Sequence, residues 1–325
     1  MRATGPRLHL GHYEGVLRTW VELQERHKLY CMVADLHALT ELRGEPPHLA
    51  HNSREVAKDF VAAGIDPSRS TVFVQSHVKE HAELHLLLSM VVGVGKLERV
   101  PTYKEKADAA GADQSVSYGL LGYPVLQAAD ILLYKPIGVP VGRDQAPHLE
   151  VSREIARSFN ATFGEVFPEF ESIISEDDLR AKVPGLDADA NGVLRKMSKS
   201  YGNCIYLNET EDETAARIKG AYTTPTKLRK TDPGVPEGCA VCQLLRLYSA
   251  DWERQWEEDR LGLRGCMQNK LECIEAVNEY LRPIRERRRQ IADADIVAVL
   301  SRGAEEARDF ASQTMAEVRC AMRLA

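Results

Sequence analysis

Short apolar runs alternate with amphipathic stretches over the first 170 residues of the chain. Parallel strands joined by crossover helices produce that rhythm. Three runs read as strands, at 30–36 (YCMVADL), 71–76 (TVFVQS) and 139–142 (VPVG). Between them apolar positions recur every three to four residues, which predicts helices over 10–25, 53–64, 79–94 and 145–161. In the first of these, Tyr13, Leu17, Trp20, Val21 and Gln24 share a face. The pattern predicts an α/β unit with a Rossmann-like, doubly wound parallel sheet. From Asp177 to Leu194 the chain turns polar and glycine-rich, and KVPGLDADANG reads as a linker or mobile loop. After Glu209 the helical period takes over, at 211–220, 239–260, 267–290 and 304–323, predicting a C-terminal all-helical domain. We therefore expect one domain over 1–192 and a second over 193–325. The length of 325 residues fits about two domains at roughly 100 to 200 residues each.

Composition changes this picture only by exclusion. With 44% hydrophobic and 28% charged residues, the chain falls outside the disordered, collagen-like and coiled-coil classes. No run approaches the 18 or so apolar residues that a membrane helix needs, and the first residues lack an apolar signal-peptide core, so a cytoplasmic protein is expected. A net charge of -6 argues against a surface coated for indiscriminate nucleic-acid binding. One local exception is RPIRERRR, where Arg282, Arg285, Arg287, Arg288 and Arg289 crowd together. Such a segment could follow a phosphate backbone, or form an ion-paired helix face. Seven cysteines without a secretion signal make a disulfide framework improbable.

Two segments carry candidate chemistry. In TGPRLHLGHYEGVL, His9, Gly11 and His12 stand at the mouth of the first amphipathic helix. Amides at a helix N-terminus attract anions, glycine permits close approach, and imidazoles can donate to phosphate oxygens. The second is Lys196, Met197, Ser198, Lys199 and Ser200, just after the glycine-rich stretch. Two lysines and two serines on a loop can fold over a polyphosphate and neutralise charge as it develops, and mobility would make that a gated step. Taken singly, HLGH could be a cap and KMSKS a solvated basic loop.

Together, HLGH and KMSKS resemble the paired signatures of class I aminoacyl-tRNA synthetases. ADLHALT at 34–40, VQSHVKEHAEL at 74–84, VPTYKEK at 100–106, YPVLQAADILLY at 123–134 and VPVGRDQAPHLEVSREIARSFN at 139–160 extend the likeness over the whole chain, toward the tryptophanyl branch. The resemblance implies activation of tryptophan by ATP with Mg2+ and transfer to tRNA, with the helical domain binding the anticodon and two chains forming a homodimer. It assigns Arg2, Ala3, Thr4, Gly11, His12, Gly142, Arg143, Asp144 and Gln145, together with 196–200, to ATP. Lys104 becomes a further phosphate-facing lysine. His9, His12, Lys104, Lys196 and Lys199 would stabilise the transition state. Asp130 would read the indole N–H, with His37, Tyr123, Gln127, Val139 and Val141 lining the rest of the pocket. A buried carboxylate suits that task, because a hydrogen bond to a charged group contributes about 1.5–3 kcal/mol.

Two departures qualify the resemblance. Family members usually open with a strand ahead of the first motif, whereas this chain starts almost at the following turn, so that strand is expected to be missing. Arg143 stands where an acidic residue commonly precedes the aspartate. Cys239, Cys242, Cys266 and Cys273 are numerous enough to ligate a [4Fe-4S] cluster, as one subgroup of the family does, or tetrahedral zinc. In that subgroup's pattern the fourth cysteine falls on Ala276, and buried thiols packing as small hydrophobes are the competing expectation. Competing functions are a tyrosyl-type synthetase, a small-molecule nucleotidyltransferase and a non-catalytic auxiliary paralogue.

Overall fold

The computed structural model describes residues 1–40, 48–101, 103–104, 116–142, 145–174, 180 and 182–324. Leu10–His12, Tyr13–Leu17 and Arg18–Leu23 run on as one helix, α1, whose middle five residues have π geometry. Strands β1 (Tyr30–Val33) and β2 (Thr71–Val74) pair in parallel, with Tyr30 opposite Thr71. Between them lies α2 (Leu49–Ala63). Alternation along the strands builds two cores. Cys31, Val33, Val72 and Val74 join Val56, Ala57 and Phe60 of α2 on one face. Phe73, with the half-buried Tyr30 and Met32, meets α3 (Glu80–Ser89), α4 (Tyr118–Leu132) and α5 (Ala146–Phe163) on the other. Strands buried on both faces read as continuous apolar runs, which is why TVFVQS was legible.

β3 (Gly138–Val141) and β4 (Glu171–Ile174) make a second parallel pair. Where a full first strand was expected to be missing, Met1–Ala3 run beside β1. The Met1 amine donates to the Met32 carbonyl at 2.7 Å, and the Ala34 amide donates to Met1 at 2.8 Å. Burial lowers that amine's pKa to about 6.

The glycine-rich stretch is not a loose linker. β5 (Pro184–Ala188) pairs antiparallel with β6 (Leu194–Lys196). Gly185 is required there: a Cβ would stand 2.0 Å from Asn203 Nδ2. Asp189 builds the turn by accepting from the amides of Asn191 and Val193, and Gly192 takes a positive φ of 77°. Asp and Gly read as loop in sequence, and tertiary contact overrides that reading. Helix α4 also escaped the periodicity, since Pro124 interrupts its middle.

The helical part comprises α6 (Glu211–Lys219), α7 (Ala240–Tyr248), α8 (Trp252–Arg260) and α9 (Cys266–Gln290). The expected helix over 239–260 is thus two, broken at Ser249–Asp251. The last helix, α10 (Asp293–Ala321), was expected with this helical group but packs on β2 instead. Gly303 makes that possible, because a Cβ there would lie 2.0 Å from the Val72 carbonyl oxygen. A helix laid along a strand edge also shields it from pairing with other chains. No helix among the described residues is long and apolar enough to cross a membrane.

The arginine-rich segment ends α9 and is largely structural. Arg285 is buried and donates to Asn278 and Thr214, Arg287 to the Ala62 carbonyl, and Arg288 to Asp59 and Glu55. Arg282 pairs with Glu211 on the surface.

Candidate active site

His9 caps α1 in extended conformation (φ −117°, ψ 166°), and its backbone amide donates to His12 Nδ1 at 3.2 Å. That bond leaves the His12 proton on Nε2. The two rings lie 3.6 Å apart between centroids. Gly11 keeps the turn compact: a Cβ there would come within 3.0 Å of His9 Nδ1 and 3.5 Å of Met197 Cβ. Burial, then Lys199 and Lys196, lowers the His9 pKa to about 3. Burial and His9 lower His12 well below its ordinary value too. Both imidazoles are therefore neutral donors near pH 7.

The lysine loop meets this turn directly. The Leu10 amide donates to the Ile205 carbonyl and the Leu207 amide to Leu8, which clamps HLGH onto the strand-like residues after the loop. Asn203 fixes the loop from behind: its Oδ1 accepts from the Ser198 amide at 2.8 Å, and its Nδ2 donates to Lys196 O and Asp187. Lys196 ends β6 exposed, Met197 is buried, and Lys199–Tyr201 form a 3-10 turn closed by Gly202 in the left-handed region (φ 66°). A Cβ on Gly5 would lie 3.7 Å from Lys199 Nζ, so that ammonium hangs over the turn before HLGH. Burial lowers the Lys199 pKa, opposed by Asp59.

Beside these elements lies a carboxylate cage. Asp130 faces inward from α4 and shares that face with Tyr123 and Gln127. His37 Nε2 reaches it at 2.8 Å, His81 Nδ1 at 2.7 Å, and Gln75 Nε2 donates to both oxygens at 2.7 and 2.9 Å. Burial alone would raise the pKa of Asp130, but His37 and His81 outweigh it and hold the group well below the usual carboxylate range. His81 Nε2 in turn meets Tyr134 Oη at 2.9 Å. The Met1 amine links the two regions, since Asp130 raises its pKa and the same amine lowers that of His12.

Of the other expected ATP residues, Ala3 is fully buried and its carbonyl accepts from Asn52, while Arg2 and Thr4 are exposed beside it. Gly142 accepts from the Gln145 amide at the start of α5. Arg143 and Asp144 lie outside the described residues. Lys104 is exposed on the helical turn after Val100. Tyr123 Oη lies 3.3 Å from His148 Nδ1, and Val139 and Val141 are half-buried against the second core. Sequence reasoning missed Gln75 and His81 as partners of Asp130, and Tyr134 as the partner of His81. A signal existed for the first, because Gln75 directly follows β2, and α/β sheets bind ligands beyond the carboxyl ends of their strands.

The four cysteines, for which a metal centre and plain buried thiols were both open, form no metal-binding group among the described residues. Cys239, Cys242 and Cys273 are buried and Cys266 is half-buried. Among the described residues no three His, Cys, Asp or Glu side chains are placed to hold a metal ion. Cys242 Sγ instead accepts from Asn269 Nδ2 at 3.7 Å, and Cys239 and Cys273 pack into the first core. These residues do not fit a cluster, so no step is derived through one.

A sheet covered on both faces, a histidine turn under a lysine loop and an adjacent carboxylate cage define a class I nucleotide-activating enzyme. The profile of the family described as tRNA synthetases class I (W and Y) matches residues 1–282, and the chain belongs to that family. It is 46% identical over 332 residues to the tryptophan–tRNA ligase of Thermotoga maritima, covering 100% of this chain and 98% of that protein. Against the corresponding ligase of Aquifex aeolicus the identity is 38% over 398 residues, covering 100% and 98%. Among solved structures it resembles the tryptophanyl-tRNA synthetase of Campylobacter jejuni complexed with ADP and tryptophan, with a TM-score of 0.84 and 33% identity over 98% of this chain and 97% of that one.

Proposed function

We propose that the protein activates L-tryptophan with ATP to tryptophanyl-adenylate and transfers the amino acid to its tRNA. The single observation that carries this reading is convergence: the lysine loop is clamped over HLGH, with the Asp130 cage alongside. In the reaction, the tryptophan carboxylate attacks the α-phosphate in line, and magnesium pyrophosphate leaves. A terminal ribose hydroxyl of tRNA then takes the acyl group. No protein nucleophile is needed. Lys199 and Lys196 supply positive charge to the phosphates, while neutral His9 and His12 donate hydrogen bonds, with His12 using Nε2. Arg2, Thr4, Gly11, Gly142 and Gln145 surround the nucleotide in this reading.

Asp130 would accept the indole N–H, with His37, Gln75 and His81 already holding its oxygens in place. A phenylalanine ring, which has no donor, would leave that carboxylate unpaired by the ligand. The homodimer implied by the resemblance would have exposed apolar side chains available at Leu86, Met90 and Val94, at and after the end of α3. Mass measurement in solution tests it, and a strictly monomeric active enzyme would refute it. The proposed setting is the cytoplasm, where charged tRNA is used.

The deciding experiment is pyrophosphate exchange into ATP with each of the twenty amino acids. Tryptophan should support it strongly, and tyrosine should not. Exchange driven by tyrosine would overturn the substrate assignment, and no exchange with any amino acid would favour an auxiliary paralogue.

A further inference from the structure

α1 carries a feature that its amphipathic pattern hides. Glu14, two residues past the histidine turn and within the π segment, is 2% exposed. Its Oε1 accepts from Tyr280 Oη at 2.6 Å, and its Oε2 accepts from Arg180 at 2.7 Å, with Arg18 at 3.6 Å. Tyr280 belongs to α9 of the helical part, so one oxygen of a buried carboxylate on the signature helix is satisfied from outside the sheet region. The rings around it are packed: Tyr13 and Tyr248 lie 6.1 and 4.7 Å from the Tyr280 ring.

α9 reaches the same turn a second time. Arg288, eight residues or about 12 Å further along the helix, donates to Asp59 Oδ1 at 2.6 Å. The other oxygen of Asp59, itself fully buried, accepts from the Leu8 amide at 2.9 Å, immediately before His9. One helix thus grips the HLGH turn on both sides, through Tyr280–Glu14 after it and Arg288–Asp59–Leu8 before it. Buried charges held in this way are costly to leave unpartnered, so separating the turn from α9 is disfavoured.

We propose that Glu14 and Asp59 are positioning residues through which α9 of the helical domain holds the HLGH turn in register with the lysine loop for the activation step. Neither residue touches the nucleotide in this account. Both hold the backbone that presents His9 and His12, and Asp59 also faces Lys199 electrostatically. The proposal rests on the tryptophan-activating reading, but its test separates the two.

Tyr280→Phe removes one hydroxyl and keeps the ring packing, while Arg288→Lys keeps a cation but loses the two-pronged contact with Asp59 and Glu55. In tryptophan-dependent pyrophosphate exchange, each variant should lower kcat about five- to tenfold with KM for tryptophan and ATP within about twofold of wild type. Thermal unfolding should stay cooperative. Glu14→Gln combined with Tyr280→Phe should lose no more activity than Glu14→Gln alone, because the Tyr280 hydroxyl acts only through that side chain, which also holds Arg180. Unchanged kcat in both folded single variants would overturn the proposal, as would a change confined to KM, or a double variant whose losses multiply. Absence of exchange in the unaltered protein would instead sink the underlying functional reading.

Discussion

Asp130, the proposed reader of the indole N–H, is held in place by its neighbours. Three donors, Gln75, His37 and His81, compensate its desolvation and keep it ionised. Substituting Asp130→Asn preserves shape but removes the charge and places an amide donor against other donors. KM for tryptophan should rise by about 10- to 100-fold, corresponding to about 1.5–3 kcal/mol for a hydrogen bond to a charged group. Steady-state exchange kinetics measure it, and an unchanged KM would remove Asp130 from the pocket. His9 yields a pH prediction. Its pKa is about 3 in the folded protein, chiefly through burial, against an ordinary value near 6.5. The unfolded chain therefore binds the extra proton first, so the stability contribution is present above pH 6.5 and lost as pH falls from there toward 3. Replacing His9 by Gln removes this titration, and stability should then fall less steeply between pH 6.5 and 4, by about 1.4 kcal/mol per pH unit. Urea unfolding at several pH values reads the slope, and identical slopes would contradict the assignment.

At the scale of elements, the motif carriers were legible and their supports were not. The strands at 30–36 and 71–76 and the helix from 10 stood out because burial imposes strict periods on apolar residues. HLGH, the lysine loop and Asp130 stood out as candidates because the relevant residue types are compressed into short segments. The β5–β6 hairpin was not: Pro, Gly and Asp spell a loop, and the strand exists because Asn203 and the Val183–Met197 pairing hold it. Glu14 hid for the same reason, since its partners Arg180 and Tyr280 lie 166 and 266 residues away. For the cysteines the sequence left ligation and apolar packing both open, and Cys239, Cys242 and Cys273 are packed in the first core. From the hairpin comes a further expectation. Asn203→Ala strips the Ser198 amide and the Lys196 carbonyl of their tether, so KM for ATP should rise about tenfold or more while tryptophan binding, measured by fluorescence, stays the same. Equal ATP kinetics would show that the loop needs no such anchor.

Across the whole molecule, the recurring device is a contact between distant parts of the chain that meet at one place. α10 returns to cover β2, α9 grips the first helix, and Leu8–Leu10 are bracketed by Ile205–Leu207. In the proposed mechanism two lysines supply the positive charge for the phosphates, and the histidines, their pKa values lowered by burial, stay neutral beneath them. The direct test is a single-turnover comparison of tryptophan-dependent adenylate formation in the unaltered protein and Lys199→Ala, at saturating ATP and tryptophan. Loss of a positioned transition-state charge predicts a rate lower by about 100- to 1,000-fold with the fold intact. A variant that forms the adenylate at the unaltered rate would contradict the claim that loop and turn act on one triphosphate.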